Sequence, residues 1–142
     1  MNKLLVLSAV LIIAATGCAK KTDIIGAEKD AVLKYADVIA DDILTGYNDE
    51  DYAKYSKDFD EQMKAAMTEK VFKQTREQIM SKIGKYASRK PSKVYKQEQF
   101  TVVEYDGDFE NEKGVTVKVV MQKFGEKNLV SGLWFNSPKL RK

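Results

Sequence analysis

The chain of 142 residues contains no histidine, one cysteine (Cys18), one tryptophan (Trp134) and two prolines (Pro91 and Pro138). Without histidine there is no imidazole base, nucleophile or metal ligand. A single cysteine excludes an intramolecular disulfide and a cysteine-rich zinc site. Neither an internal repeat nor a low-complexity segment is present. Hydrophobic residues make up 44% and charged residues 32% of the chain, which is the composition of a folded globular domain rather than of a disordered one. The chain therefore has little of what most catalytic or metal sites require, and the sequence marks no catalytic residue and calls for no cofactor.

The amino terminus is more specific. Lys3 is followed by the apolar stretch Leu4–Ala15, interrupted only by Ser8. That is the length of a signal-peptide core and short of the roughly 20 residues that span a bilayer. Ala15-Thr16-Gly17-Cys18 resembles the bacterial lipobox, with Ala15 where Leu is usual. The resemblance implies cleavage after Gly17 and a diacylated Cys18, so residues 1–17 are expected to be a lipoprotein signal peptide. Small residues at 15 and 17 also suit ordinary signal cleavage at the same bond. Acylation accounts for the lone cysteine, and two acyl chains anchor a protein stably where one does not. The expected location is extracytoplasmic, held at the membrane, with Lys20 and Lys21 beside the anchor.

Residues 18–26 read as a lipidated tether and 27–142 as a single domain. Charge is divided along the chain: Ala19–Glu61 holds 12 Asp/Glu against 6 Lys/Arg, and Gln62–Lys142 holds 9 against 17. The basic residues are scattered, without clustered arginine or a stacking pattern, which argues against nucleic-acid binding. Asp106, Asp108, Glu110 and Glu112 look like an acidic turn, but the spacing does not match a calcium loop, so no metal is expected.

Val32, Tyr35, Ala36, Ile39 and Ile43 recur at helical spacing and predict a first helix over about 27–45, stopped by Gly46. Asp37, Asp41 and Asp42 fall off this stripe and are expected to face water. Asn48 reads as the cap of a short second helix carrying Tyr52 and Tyr55. Asp58-Phe59-Asp60 opens a third stretch with Met63 and Met67. Thr68 caps a fourth helix faced by Phe72, Thr75, Ile79 and Ile83 and ended by Gly84. The period then changes. With a break at Pro91, residues 94–105 read as one strand, Asp106-Gly107-Asp108 as a turn, residues 115–122 as an alternating strand and Gly125–Asn128 as a hairpin turn. Residues 129–135 form the last strand, with Leu129, Leu133 and Phe135 on one face and Val130 and Trp134 on the other. Helices followed by hairpin-linked strands predict an α+β fold, the helices packed on one face of an antiparallel sheet.

At this level the chain resembles the nuclear-transport-factor-2-like (cystatin-like) superfamily, and more narrowly the lipoprotein domains grouped as DUF3887. The resemblance rests on Ala36-Asp37 through Ile43-Leu44, on Asn48-Asp49-Glu50-Asp51-Tyr52, on Phe59-Asp60-x-x-Met63 with Met67 and Phe72, and on Ile83-Gly84-Lys85-Tyr86. It implies helices and a curved sheet enclosing a cone. Some superfamily members do acid–base chemistry there, and others bind ligands or partners. Two functions follow as expectations. The first is a non-catalytic module that holds a small apolar ligand or docks a protein partner. Its candidate lining is Tyr55, Phe59, Met63, Met67, Tyr105 and Trp134, with Tyr95 beside them. The second is an isomerase- or dehydratase-like enzyme using a buried Asp, with Asp58 and Asp60 the candidates, and a Tyr. Capping is the structural role expected of the same two carboxylates.

Overall fold

A computed structural model describes residues 19–142. Cys18 and the signal segment lie outside the described residues. The elements are β1 (Lys21–Asp23), α1 (Gly26–Asp49), α2 (Tyr52–Tyr55), α3 (Glu61–Ala66), α4 (Glu69–Ile83), β2 (Tyr86–Gln97), β3 (Phe100–Phe109), β4 (Glu112–Phe124) and β5 (Lys127–Asn136). The five strands form one antiparallel sheet in chain order. The four helices cover one face of it. The fold is α+β.

The helical stripe builds the core. Val32, Ala36, Ile39, Ala40, Ile43, Leu44 and Tyr47 of α1 are buried against the inward strand positions Val94, Val103, Tyr105, Val117 and Val119. Asp51, Asp60 and Thr68 cap α2, α3 and α4, each side chain accepting the backbone N–H three residues on. Gly84 ends α4.

Several expectations are corrected. Helix α1 runs through Gly46 to Asp49, and its left-handed cap residue is Glu50 at φ 55°. Gly46 is needed for proximity rather than for termination: a Cβ there would sit 2.6 Å from the backbone N of Tyr55 and 2.9 Å from the carbonyl O of Asp51. Asn48 is therefore inside α1, and Asp51 caps α2 instead. The Asn48 side chain crosses to the sheet, accepting from the Tyr86 backbone N–H and donating to its carbonyl, both at 2.8 Å. Residues 94–105 form parts of two strands, divided at Glu98-Gln99, with Glu98 at φ 56°. Pro91 lies inside β2, beside a bulge and where β1 does not reach, so its missing N–H breaks no ladder bond. Asp106-Gly107-Asp108 continues β3, and the chain turns at Glu110-Asn111 instead. Lys21–Asp23, read as tether, pairs with β2 as an edge strand.

A glycine-to-alanine change inside a helix ordinarily stabilises by about 1 kcal/mol. At Gly46 the sign reverses, because the new methyl group meets fixed backbone rather than a movable side chain. Gly46→Ala is expected to lower stability by about 1–2 kcal/mol net of the helix-propensity gain, read from urea unfolding.

Candidate functional site

The candidate lining residues separate onto two faces of the sheet. Tyr55, Phe59, Met63, Met67 and Tyr105 belong to the core between helices and sheet, each no more than 6% exposed. Phe72 fills the space among them, its ring centroid 4.4 Å from that of Tyr55 and 5.7 Å from that of Tyr52. Tyr55 meets Phe59 edge-on at 5.3 Å. These side chains are buried in one hydrophobic cluster between the helices and the sheet. A groove of about 450 Å³ lies elsewhere, lined by Glu50, Lys73, Arg76, Glu77, Met80 and Ser81, and is open to solvent.

Trp134 and Tyr95 lie on the opposite, helix-free face. There Tyr95, Val102 and Val120 are buried, and Phe100 and Trp134 pack over them half-buried. The registers explain the grouping: Tyr95 pairs with Val102, Val102 with Val120, and Val120 with Gly132. The Trp134 indole covers Gly132 so closely that a Cβ on residue 132 would meet the ring at 2.5 Å. Lys118 Nζ lies 5.4 Å from the Trp134 ring centre and Lys21 Nζ 5.0 Å from that of Tyr95. A bulge opposite Val120 and Met121 shifts the phase of β5 and turns Val130 inward with Leu133 and Phe135, against the expected alternation.

The candidate carboxylates have different roles. Asp60 is 4% exposed, caps α3 through a 2.8 Å bond from Met63 N–H, and accepts from Ser131 Oγ at 2.7 Å. Its capping role is as expected. Asp58 does not cap; its carbonyl accepts the Val130 N–H at 2.7 Å as part of the bridge that joins Phe59 to β5. Burial raises the Asp58 carboxyl above the usual aspartate range, against the pull of Lys57.

The strongest polar constellation joins α1 to the sheet. Tyr105 Oη donates to Asp37 Oδ1 at 2.9 Å. Arg89 donates to Asp41 Oδ1 at 2.6 Å, to Tyr86 Oη at 2.9 Å and to the Asp37 carbonyl at 2.9 Å, with its guanidinium 5.1 Å from the Tyr105 ring centre. Asp42 pairs with Lys57 at 3.3 Å. Asp37 and Asp42, expected to face water, are thus largely taken up by long-range partners, whereas Asp41 remains 63% exposed, as expected, while pairing with Arg89. Their helical phase, one step off the apolar stripe, was the available signal. Burial, reinforced by the Asp37 hydrogen bond, raises the Tyr105 phenol well above its ordinary value. The Tyr105 proton is directed at Asp37 and the Arg89 donors at α1 and Tyr86, so the cluster works as a clasp.

The family model described as "Protein of unknown function (DUF3887)" matches residues 40–132. The chain belongs to the DUF3887 family. No curated protein and no solved structure matches. The DUF3887 match runs from late α1 into β5, so it spans the clasp residues Asp41 and Arg89, the aromatic core and all of the outer patch except Trp134. Among the described residues of this DUF3887 protein there is no acidic or cysteine cluster able to hold a metal, and no helix long and apolar enough to cross a membrane.

Burial pushes the Tyr95 phenol up to about 12, with the neighbouring Glu104 charge adding to the effect, and also raises Tyr47 and Tyr55. A raised phenol pKa means that the fold prefers the neutral form. That stabilisation is fully present below about pH 10, the unfolded value, and is lost as pH rises through the folded values. Stability is therefore expected to begin falling near pH 10, where the unfolded chain loses these protons and the fold still holds them, and to fall most steeply between about pH 10 and 12. Chemical unfolding followed across this range tests it; a flat profile would mean that the phenols ionise freely in the fold.

Proposed function

We propose that this DUF3887 protein is a membrane-tethered extracytoplasmic lipoprotein that works as a non-catalytic interaction module. The tether is Cys18 behind the Leu4–Ala15 signal core. The docking surface is the helix-free sheet face around Trp134, Phe100, Tyr95, Val102 and Val120. One observation supports a protein partner over a small ligand: the aromatic and methionine residues that would line a cone are buried in the core, while Phe100 and Trp134, half-buried over Tyr95, Val102 and Val120, give the helix-free face its apolar surface. The same reading keeps the chain within the nuclear-transport-factor-2-like superfamily, a resemblance with which the order of helices and strands agrees.

The test is site-specific photo-crosslinking in cells. A photoreactive residue at Phe100 is expected to give one discrete adduct, and the same probe at Lys73 on α4 none. Equal labelling from both positions would remove the docking face.

The acid–base enzyme remains the second reading, supported by the Asp37–Tyr105 hydrogen bond of 2.9 Å. It requires that pair to face a substrate. Asp37→Asn separates the two: a clasp loses stability, whereas an active site loses turnover with its fold retained.

A further inference from the structure

The anchor, the strand register and the hairpins converge on one end of the sheet. Lys21 pairs with Gln97, and Gln97 with Phe100, so the chain enters the domain at the β2–β3 hairpin. Gln97 Nε2 also donates to the Ala19 carbonyl at 3.3 Å, which holds the entering chain there. Cys18 lies three residues before Lys21 and hence within about 11 Å of it along the chain. Thr101 pairs with Met121, so the β4–β5 hairpin, closing at Phe124 and Lys127, projects from this same end.

Helix α1 also begins there, since Glu28 pairs with Lys96 at 2.9 Å. Two of the three exposed large apolar residues among the described residues lie at this end: Phe124, 46% exposed, on the β4–β5 tip, and Ile25, 77% exposed, at the start of α1; the third, Val38, is midway along α1. Lys123 and Lys127 flank Phe124, are exposed, and form no ion pair among the described residues. Lys20 and Lys21 lie on the entering chain. The acidic residues near this end include Asp23, Glu28, Glu98 and Glu126, of which Glu28 is paired with Lys96, and Asp58 lies close enough to Lys127 to feel its charge. The projecting point itself carries Lys123 and Lys127 against Glu126, with the aromatic Phe124 between the two lysines.

We infer that this end is a second lipid contact: with Cys18 anchored, the β4–β5 tip seats Phe124 in the interface of an anionic bilayer, and Lys123 and Lys127 face its headgroups. The inference rests on the anchor reading above. An amphipathic tip of one aromatic between two lysines suits that interface, where apolar area and positive charge act together. Each lysine at an anionic surface shifts the docked ratio by about five-fold. Docking would stand the strands away from the membrane and leave the Trp134 face open at the side.

The test couples the mature chain, residues 18–142, through Cys18 Sγ to a maleimide lipid in vesicles. Hydrogen exchange is read at residues 97–100 and 123–128. Vesicles containing phosphatidylglycerol are expected to slow exchange at both hairpins. Neutral phosphatidylcholine vesicles, or about 1 M salt, where the screening length is about 3 Å, restore the rate of the free protein. Lys123→Gln with Lys127→Gln is expected to do the same on anionic vesicles, and both positions are exposed, so the fold is retained. Equal exchange on anionic and neutral vesicles overturns the inference, as does slowing that survives salt. The coupling is chemical, so the outcome is independent of whether cells acylate Cys18.

Discussion

Phe72→Ala is expected to cost about 3–5 kcal/mol, roughly a fifth or more of the about 5–15 kcal/mol that holds a domain folded. Phe72 is 1% exposed and, with Ile83, is one of the two fully buried residues of α4. Its ring touches Tyr55 and Tyr52, and the Tyr52 hydroxyl in turn donates to the Met67 carbonyl at 2.7 Å, which ties α2 to the end of α3. Removing the ring leaves a void that these neighbours close only in part, since Tyr55 is also held by Phe59. Phe72→Leu keeps most of the volume and is expected to cost under about 1.5 kcal/mol. Urea unfolding of both variants measures the difference. A loss under about 1 kcal/mol for the alanine variant would show a core loose enough to admit a ligand and would revive the cone as a binding cavity.

Cys18→Ser has the largest effect expected in cells. In the proposed lipoprotein route the thiol accepts the diacylglyceryl group first, and cleavage follows. The serine variant should therefore incorporate no acyl label and retain residues 1–17, running as the uncleaved chain. An ordinary signal peptidase recognises the small residues Ala15 and Gly17 and would process the serine variant as it does the parent. Acyl labelling together with the size of the processed chain thus separates the anchored protein from a secreted one.

Much of the fold was legible because its periods are clean. The α1 stripe, the Thr68 cap and the alternation of Val115, Val117 and Val119 are local features, and the elements appear where they point. The features that the periods do not reveal depend either on an unusual local conformation or on a contact distant in sequence. Nothing in Glu98-Gln99 announces a turn, because Glu98 takes a left-handed conformation that usually belongs to glycine or asparagine. Asn48 looked like a cap because its partner, Tyr86, is 38 residues away. Gly46 looked like a stop because the backbone of Tyr55, which excludes a side chain there, is placed by the α1–α2 packing.

The candidate site was split for a related reason. Strands β3–β5 carry apolar residues on both faces: Val103, Val119 and Leu133 inside, Val102, Val120 and Trp134 outside. Alternation alone separates those two sets without saying which one the helices cover. The Asp37–Tyr105 and Asp41–Arg89 pairs, 68 and 48 residues apart, were hidden by the same distance.

The central claim is that this domain works while held at a membrane by Cys18, and the most direct measurement is the intact mass of protein extracted from its own membranes. The account predicts a chain beginning at Cys18 and heavier than residues 18–142 by a diacylglyceryl group. A mass equal to the unmodified residues 18–142 would contradict it.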